Sequence, residues 1–146
     1  MKMLLVVLAL IASSARAAVT AEVTFDVRGN RLWAEVRMHG IAEGESFPYS
    51  FRWTASDVAY QKKDGTKIRL FADGTFEPTS PAGASTPGGC YCKDTKEKGC
   101  WRTRAWRNIE TILGNGDKVR GTGKWTVRIV RNDTGAVIGS GDYTVE

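Results

Sequence analysis

The sequence is poor in the groups that hydrolytic and redox chemistry most often needs. It holds a single histidine, His39, which removes most hydrolase mechanisms that join a histidine base to a second partner. His39 sits at a predicted strand end beside the polar positions Glu35 and Arg37, and is read as a solvated side chain. No Gly-x-Ser-x-Gly, Walker or dinucleotide fingerprint occurs, and Gly114-x-Gly116 and Gly121-x-Gly123 lack the strand–helix context of a phosphate cradle. Glu43 and Glu45 stand two apart in a Gly-containing loop, where solvation explains them better than glycoside cleavage does. No stretch carries a 3.6-residue apolar period, which excludes an amphipathic helix. There is no internal repeat. The longest apolar run, Leu4 to Ala12, falls far below the roughly 20 residues that span a bilayer.

That run has a different meaning. Lys2 precedes it and Ser13-Ser14-Ala15-Arg16-Ala17 follows it, which is the order of basic, apolar and small-residue segments in a cleavable export signal. Residues 1–17 are expected to be a signal peptide and 18–146 the mature, secreted or periplasmic chain. No cysteine follows closely enough to carry a lipid anchor. A chain of this length buries about two-thirds of its unfolded surface as one domain, so it needs no disulfide to fold.

Charge is unevenly placed. Residues 18–92 hold 8 basic and 9 acidic side chains, 93–131 hold 11 and 4, and 132–146 have three acids and no base. Such a basic segment favours an acidic partner.

Period-two alternation dominates the remainder. Val19, Ala21, Val23, Phe25 and Val27 alternate with polar residues, Gly29-Asn30 makes a hairpin turn, and Leu32, Ala34, Val36 and Met38 share one face of the return strand. Phe47, Tyr49, Phe51 and Trp53 share a face of a third strand, which starts at Pro48 or lies at an edge because proline donates no ladder bond. Val58–Lys62 and Lys67–Phe71 flank Asp64-Gly65, a further hairpin, and 72–75 reads as a turn. Residues 78–99, rich in Pro, Gly and Ser and then Lys, read as one long loop. Strands are expected again over 101–113, 125–129 and 136–145. The sum is an all-β chain, an antiparallel sandwich or a small barrel, and the sandwich is preferred: a single antiparallel β-sandwich of seven or eight strands with one long Cys-containing loop.

The closing stretch, Gly123-Lys124-Trp125-Thr126-Val127-Arg128-Ile129-Val130, then Gly135-Ala136-Val137-Ile138-Gly139, then Tyr143-Thr144-Val145, resembles the last hairpin of immunoglobulin-like domains in bacterial envelope and secreted proteins. The resemblance covers about residues 121–146. It implies an immunoglobulin-like sandwich and an adhesive or accessory role, and it transfers no catalytic residue. The paired core cysteines of antibody-type domains are absent, since Cys90, Cys92 and Cys100 lie together.

In an oxidising compartment these three cysteines leave one over. A local disulfide is expected, Cys92–Cys100 with Cys90 free being preferred to Cys90–Cys100. The rival reading is a metal- or thiol-active loop: three thiolates suit soft metals, and Lys93, Lys96 and Lys98 would activate a nearby thiol. Against a metal, Cys-x-Cys lacks the Cys-x₂-Cys spacing of common zinc sites. A second rival is a structural or assembly subunit, joined through Cys90 or an edge strand.

The segment Trp101-Arg102-Thr103-Arg104-Ala105-Trp106-Arg107 is the candidate contact surface. On a strand, Arg102, Arg104 and Trp106 share a face that mixes guanidinium groups with an indole, suited to acidic or sugar ligands. Arg107 is added as an anion partner, and Lys124, Arg128 and Arg131 extend the surface. The expected function is a non-enzymatic binding module for an acidic polymer, a glycan or an acidic protein surface, without cofactor or metal. The export signal weighs against nucleic acid. Asn132-Asp133-Thr134 is a sequon, of consequence only in a eukaryotic secretory pathway.

Intact mass of the exported protein checks these readings together. The expected result is a chain beginning at Ala18, two hydrogens light, with one thiol that alkylates once the protein is denatured.

Overall fold

The computed structural model describes residues 18–78 and 89–146. The expected signal peptide, and 79–88 of the expected long loop, lie outside the described residues. Every regular element among the described residues is a strand. In chain order they are β1 (Thr20–Arg28), β2 (Arg31–His39), β3 (Tyr49–Thr54), β4 (Ala59–Gln61), β5 (Lys67–Arg69), β6 (Gly74–Phe76), β7 (Tyr91–Cys92), β8 (Glu97–Lys98), β9 (Trp101–Asn108), β10 (Glu110–Ile112), β11 (Lys118–Arg120), β12 (Gly123–Arg131) and β13 (Val137–Val145).

Seven of them build two antiparallel sheets, ordered β1-β2-β9 and β13-β12-β3-β6. The rest form the ribbons β4-β5, β7-β8 and β10-β11. The two sheets pack face to face in a sandwich, as the strand pattern predicts, and it resembles the immunoglobulin-like type that the closing stretch implied. Leu32, Ala34, Val36 and Met38 of β2 pack in one core with Phe51 and Trp53 of β3 and Trp125, Val127 and Ile129 of β12. Trp53 and Trp125 meet edge to face, centroids 6.1 Å apart. A buried tryptophan removes roughly 200 Å² from water, on the order of 5 kcal/mol before entropy is counted.

The turns follow the sequence. Gly29 has φ 59° and Arg28 pairs with Arg31, so the hairpin closes through two residues. Strand β3 begins directly after Pro48. Three expectations need correction. Gly74–Phe76 is a strand and not part of a turn, because Phe76 pairs with Phe51 across the β3–β6 ladder and their rings meet at 5.8 Å. The strand expected over 101–113 breaks at Ile109, which is buried and donates its N–H to the Asn30 carbonyl at 2.8 Å. The expected loop contains the ribbon β7-β8, closed by the Cys92–Cys100 disulfide with Cα atoms 5.3 Å apart.

The two long sides of the sandwich differ. Strands β1 and β13 end their sheets on the same side and approach closely. A Cβ on Gly139 would lie 2.3 Å from the Ala21 carbonyl oxygen, and one on Gly141 would lie 3.0 Å from the Phe25 ring. Small residues there let the backbones close. On the other side β9 and β6 are the end strands, and the sheets stay apart.

Gly139→Ala is therefore expected to destabilise the fold by about 1–3 kcal/mol through overpacking against backbone. Gly114→Ala, where an added Cβ meets open space, is expected to change stability by less than about 0.5 kcal/mol. Urea denaturation of both variants checks the pair.

Candidate functional site

Strand β9 pairs with β2 without a break from Trp101 to Asn108. Even-numbered residues of β9 and odd-numbered residues of β2 point away from the core. The register sets Trp33 opposite Trp106, Glu35 opposite Arg104 and Arg37 opposite Arg102. Arg102, Arg104 and Trp106 thus share the outer face of the β1-β2-β9 sheet, with Trp106 40% exposed.

The arginines have different partners. Arg37 forms a bidentate pair with Asp94 in the turn of the β7-β8 ribbon, its Nη1 donating at 3.0 Å. Arg102 lies 3.5 Å from Asp94 and 3.8 Å from Glu35. Arg104 pairs with no carboxylate among the described residues and lies over the Trp33 ring, 4.9 Å from its centroid. Arg31 lies over Trp106 at 3.8 Å. The two indoles are 6.3 Å apart and tilted by 50°. Toward the β1–β2 hairpin end of the face, two tryptophans stand side by side between two guanidinium groups.

Sequence reasoning placed Trp33 on the polar side of its strand but missed its part, and that of Arg31. The pattern shows which way a side chain points and not which strand lies beside it. Two other expectations need correction. Arg107 has the parity of Ala105 and turns inward from the face of Arg104. Its guanidinium lies 6.0 Å from the Trp53 ring centroid and 5.8 Å from that of Trp125. Lys124 and Arg128 lie on the outer face of the four-stranded sheet, on the opposite side of the sandwich, because β12 belongs to that sheet. Arg131 pairs with Asp133 at 2.7 Å. None of the four joins Arg102, Arg104 and Trp106 on the outer face of the β1-β2-β9 sheet.

The β7-β8 ribbon is fastened to the end of β2. Besides Arg37–Asp94, His39 Nδ1 meets Glu97 at 2.6 Å, and the Ile41 N–H donates to the Gly99 carbonyl at 2.9 Å. Gly99 has φ 71° and an added Cβ would lie 2.7 Å from the Ile41 carbonyl, so the contact requires glycine. His39 Nε2 lies 3.3 Å from Glu22 but without hydrogen-bond alignment. The histidine is clasped between carboxylates, not freely solvated as the sequence suggested.

The cysteine geometry bears on the metal and thiol reading. The disulfide occupies Cys92 and Cys100, so three thiolates are not available together. His39, Glu97 and Cys100 present donor atoms within 4.8 Å of one another, but the Cys100 sulfur is bonded to Cys92. Cys90 is 2% exposed, and burial pushes its thiol pKa up, opposite to the activation that nearby lysines would bring.

No protein-family model and no curated protein sequence matches the chain. Solved structures similar to it include an immunoglobulin-like protein from Pseudomonas aeruginosa, at 12% identity and TM-score 0.41, over 91% of this chain and all of that one. A β-glucosidase from Kluyveromyces marxianus matches at 8% identity and TM-score 0.43, over 88% of this chain. The chain spans only 14% of that enzyme's length. The glucose complex of the same enzyme matches with the same TM-score at 9% identity. No functional residue is carried over from these likenesses.

The hydrogen bond from Arg37, reinforced by Arg102, holds the Asp94 carboxyl at about 2 against an ordinary 3.8. A depressed carboxyl pKa means the pair is fully formed above the ordinary value and is lost as pH falls through about 2. NMR titration of the Asp94 side-chain carbon is expected to give that midpoint, and Arg37→Gln is expected to move it back toward the ordinary carboxylate range.

Proposed function

We propose that the protein is an exported, non-enzymatic binding module whose β1-β2-β9 face holds an acidic carbohydrate. The observation that carries this reading is the Trp33–Trp106 pair bracketed by Arg31 and Arg104. Indole faces offer broad apolar platforms for the C–H faces of sugar rings. A guanidinium at each end is suited to bidentate capture of a carboxylate or sulfate.

Charge selects among the acidic partners first considered. Arg37 and Arg102 are largely satisfied by Asp94 and Glu35, so the face is not a continuous cationic sheet for a highly charged polymer. Cations at the two ends with aromatics between suit a ligand that carries its charge on rings. The export signal fits a ligand met outside the cytoplasm.

Oligogalacturonate is a suitable probe, with a neutral glucan of equal length as control. Arg104→Ala is expected to weaken oligogalacturonate binding about tenfold or more, since it removes a charge-assisted contact, and to flatten the salt dependence. Trp106→Ala is expected to abolish detectable binding, while Lys124→Ala and Arg128→Ala leave it unchanged. Equal affinity for wild type, Arg104→Ala and Trp106→Ala would remove this face as the site.

A further inference from the structure

Where β9 and β6 end their sheets, the sandwich opens into a groove of about 530 Å³, within the ordinary range for small-ligand pockets. Trp53, Phe76 and Trp106 give it an apolar lining, Arg104 and Arg107 its charge, and among the described residues no carboxylate lines it. Phe76 is 47% exposed, although its partner on β3, Phe51, is fully buried.

Arg107 is the unusual residue. Its guanidinium is drawn off the surface over Trp53 and Trp125 and forms no ion pair among the described residues. Among the described residues its one hydrogen bond runs from Nη2 to the Ala72 carbonyl at 3.1 Å. Burial pushes its pKa down, with the more distant Asp73 acting against that shift. Asp73 is engaged elsewhere, accepting from the Ala55 N–H at 2.9 Å and from Arg69 at 3.3 Å. A half-buried cation without a counter-charge is costly unless something supplies one. The backbone makes room for it: a Cβ on Gly74 would stand 2.6 Å from Arg107 Nη1 and 3.4 Å from Cζ. Glycine at the start of β6 is therefore matched to an arginine on β9.

We infer that this groove binds a small amphipathic carboxylate, its head on the Arg107 guanidinium and its apolar body between Phe76 and Trp106. Charge complementarity carries the choice of occupant: two arginines with no acid beside them in the lining among the described residues call for an anion, and a lining rich in aromatic rings suits an anion with an apolar body. A planar guanidinium favours a carboxylate head, which it can grip with two parallel hydrogen bonds. The site goes beyond the carbohydrate face and shares with it only the β9 residues Arg104 and Trp106. Arg107 and Gly74 belong to the groove alone, and Trp33 to the outer face alone.

The test is NMR titration of the protein with 3-phenylpropionate, its uncharged analogue 3-phenylpropan-1-ol, and acetate. The propionate is expected to shift the Trp106 indole N–H to saturation, while the alcohol and acetate bind at least about tenfold more weakly. Gly74→Ala, which displaces the guanidinium but keeps its charge, and Arg107→Gln are each expected to weaken propionate binding about tenfold. Trp33→Ala is expected to leave it within about twofold, although the same variant loses oligogalacturonate, so failure of either site is read separately. Should Arg107→Gln not fold, the alcohol and Gly74→Ala still decide. The inference is overturned if the alcohol binds as tightly as the propionate or if Gly74→Ala changes nothing. It is equally overturned if the propionate fails to saturate by about 10 mM, above the roughly millimolar affinity open to so small a ligand.

Discussion

The antiparallel pairing of β9 with β2 is the constraint on which the surface chemistry depends. Side chains alternate along a strand, so a slip of one residue would send Trp33 or Trp106 into the core and bring Ala34 or Ala105 out. Ala34 opposite Ala105 and Trp33 opposite Trp106 fix the register from both faces: small residues pack inward where bulky ones stand outward. The cross-strand pairs Glu35–Arg104 and Arg37–Arg102 follow from it. The like-charged Arg37 and Arg102 would oppose the pairing were Asp94 not placed against both. The ribbon carrying Asp94 is in turn closed by a disulfide, worth roughly 2–3 kcal/mol for so short a loop. The ordering of the ribbon and the neutralisation of the face are one arrangement.

The same pairing leaves β9 at the end of its sheet. The sandwich closes on the β1–β13 side, where Gly139 and Gly141 permit backbone contact, and opens on the β9–β6 side, where Arg107 fills part of the gap. An arginine at an inward position breaks the apolar alternation. Its aliphatic stem and planar head lie along tryptophan rings, which makes the position tolerable, since a guanidinium is weakly hydrated and stacks on aromatic faces. One strand thus presents cations on both sides, those outside among tryptophans and carboxylates, the one inside over tryptophan rings with a hydrogen bond to the Ala72 carbonyl.

Much of the fold was legible in the sequence because buried strands advertise themselves by alternation. The β1–β2 hairpin, the start of β3 after Pro48 and the last hairpin all follow from local pattern and turn chemistry. Gly74–Phe76 was missed because three residues beginning with glycine carry no local strand signal, and the pairing with Phe51 is long-range. The orientation of Arg102, Arg104 and Trp106 was readable from parity, and the same parity would have separated Arg107 from them. The placement of Lys124 and Arg128 on the opposite side, and of Trp33 beside Trp106, depends on which strands are neighbours. A single sequence holds that information only in residues far apart along the chain.

The central claim is that the tandem tryptophans of the outer face form a ligand platform. The five indole N–H groups make this directly observable by NMR during titration with oligogalacturonate. The account predicts that Trp33 and Trp106 shift together and saturate at one affinity while the core indoles of Trp53 and Trp125 stay in place. Saturable binding with Trp33 and Trp106 unmoved would contradict it.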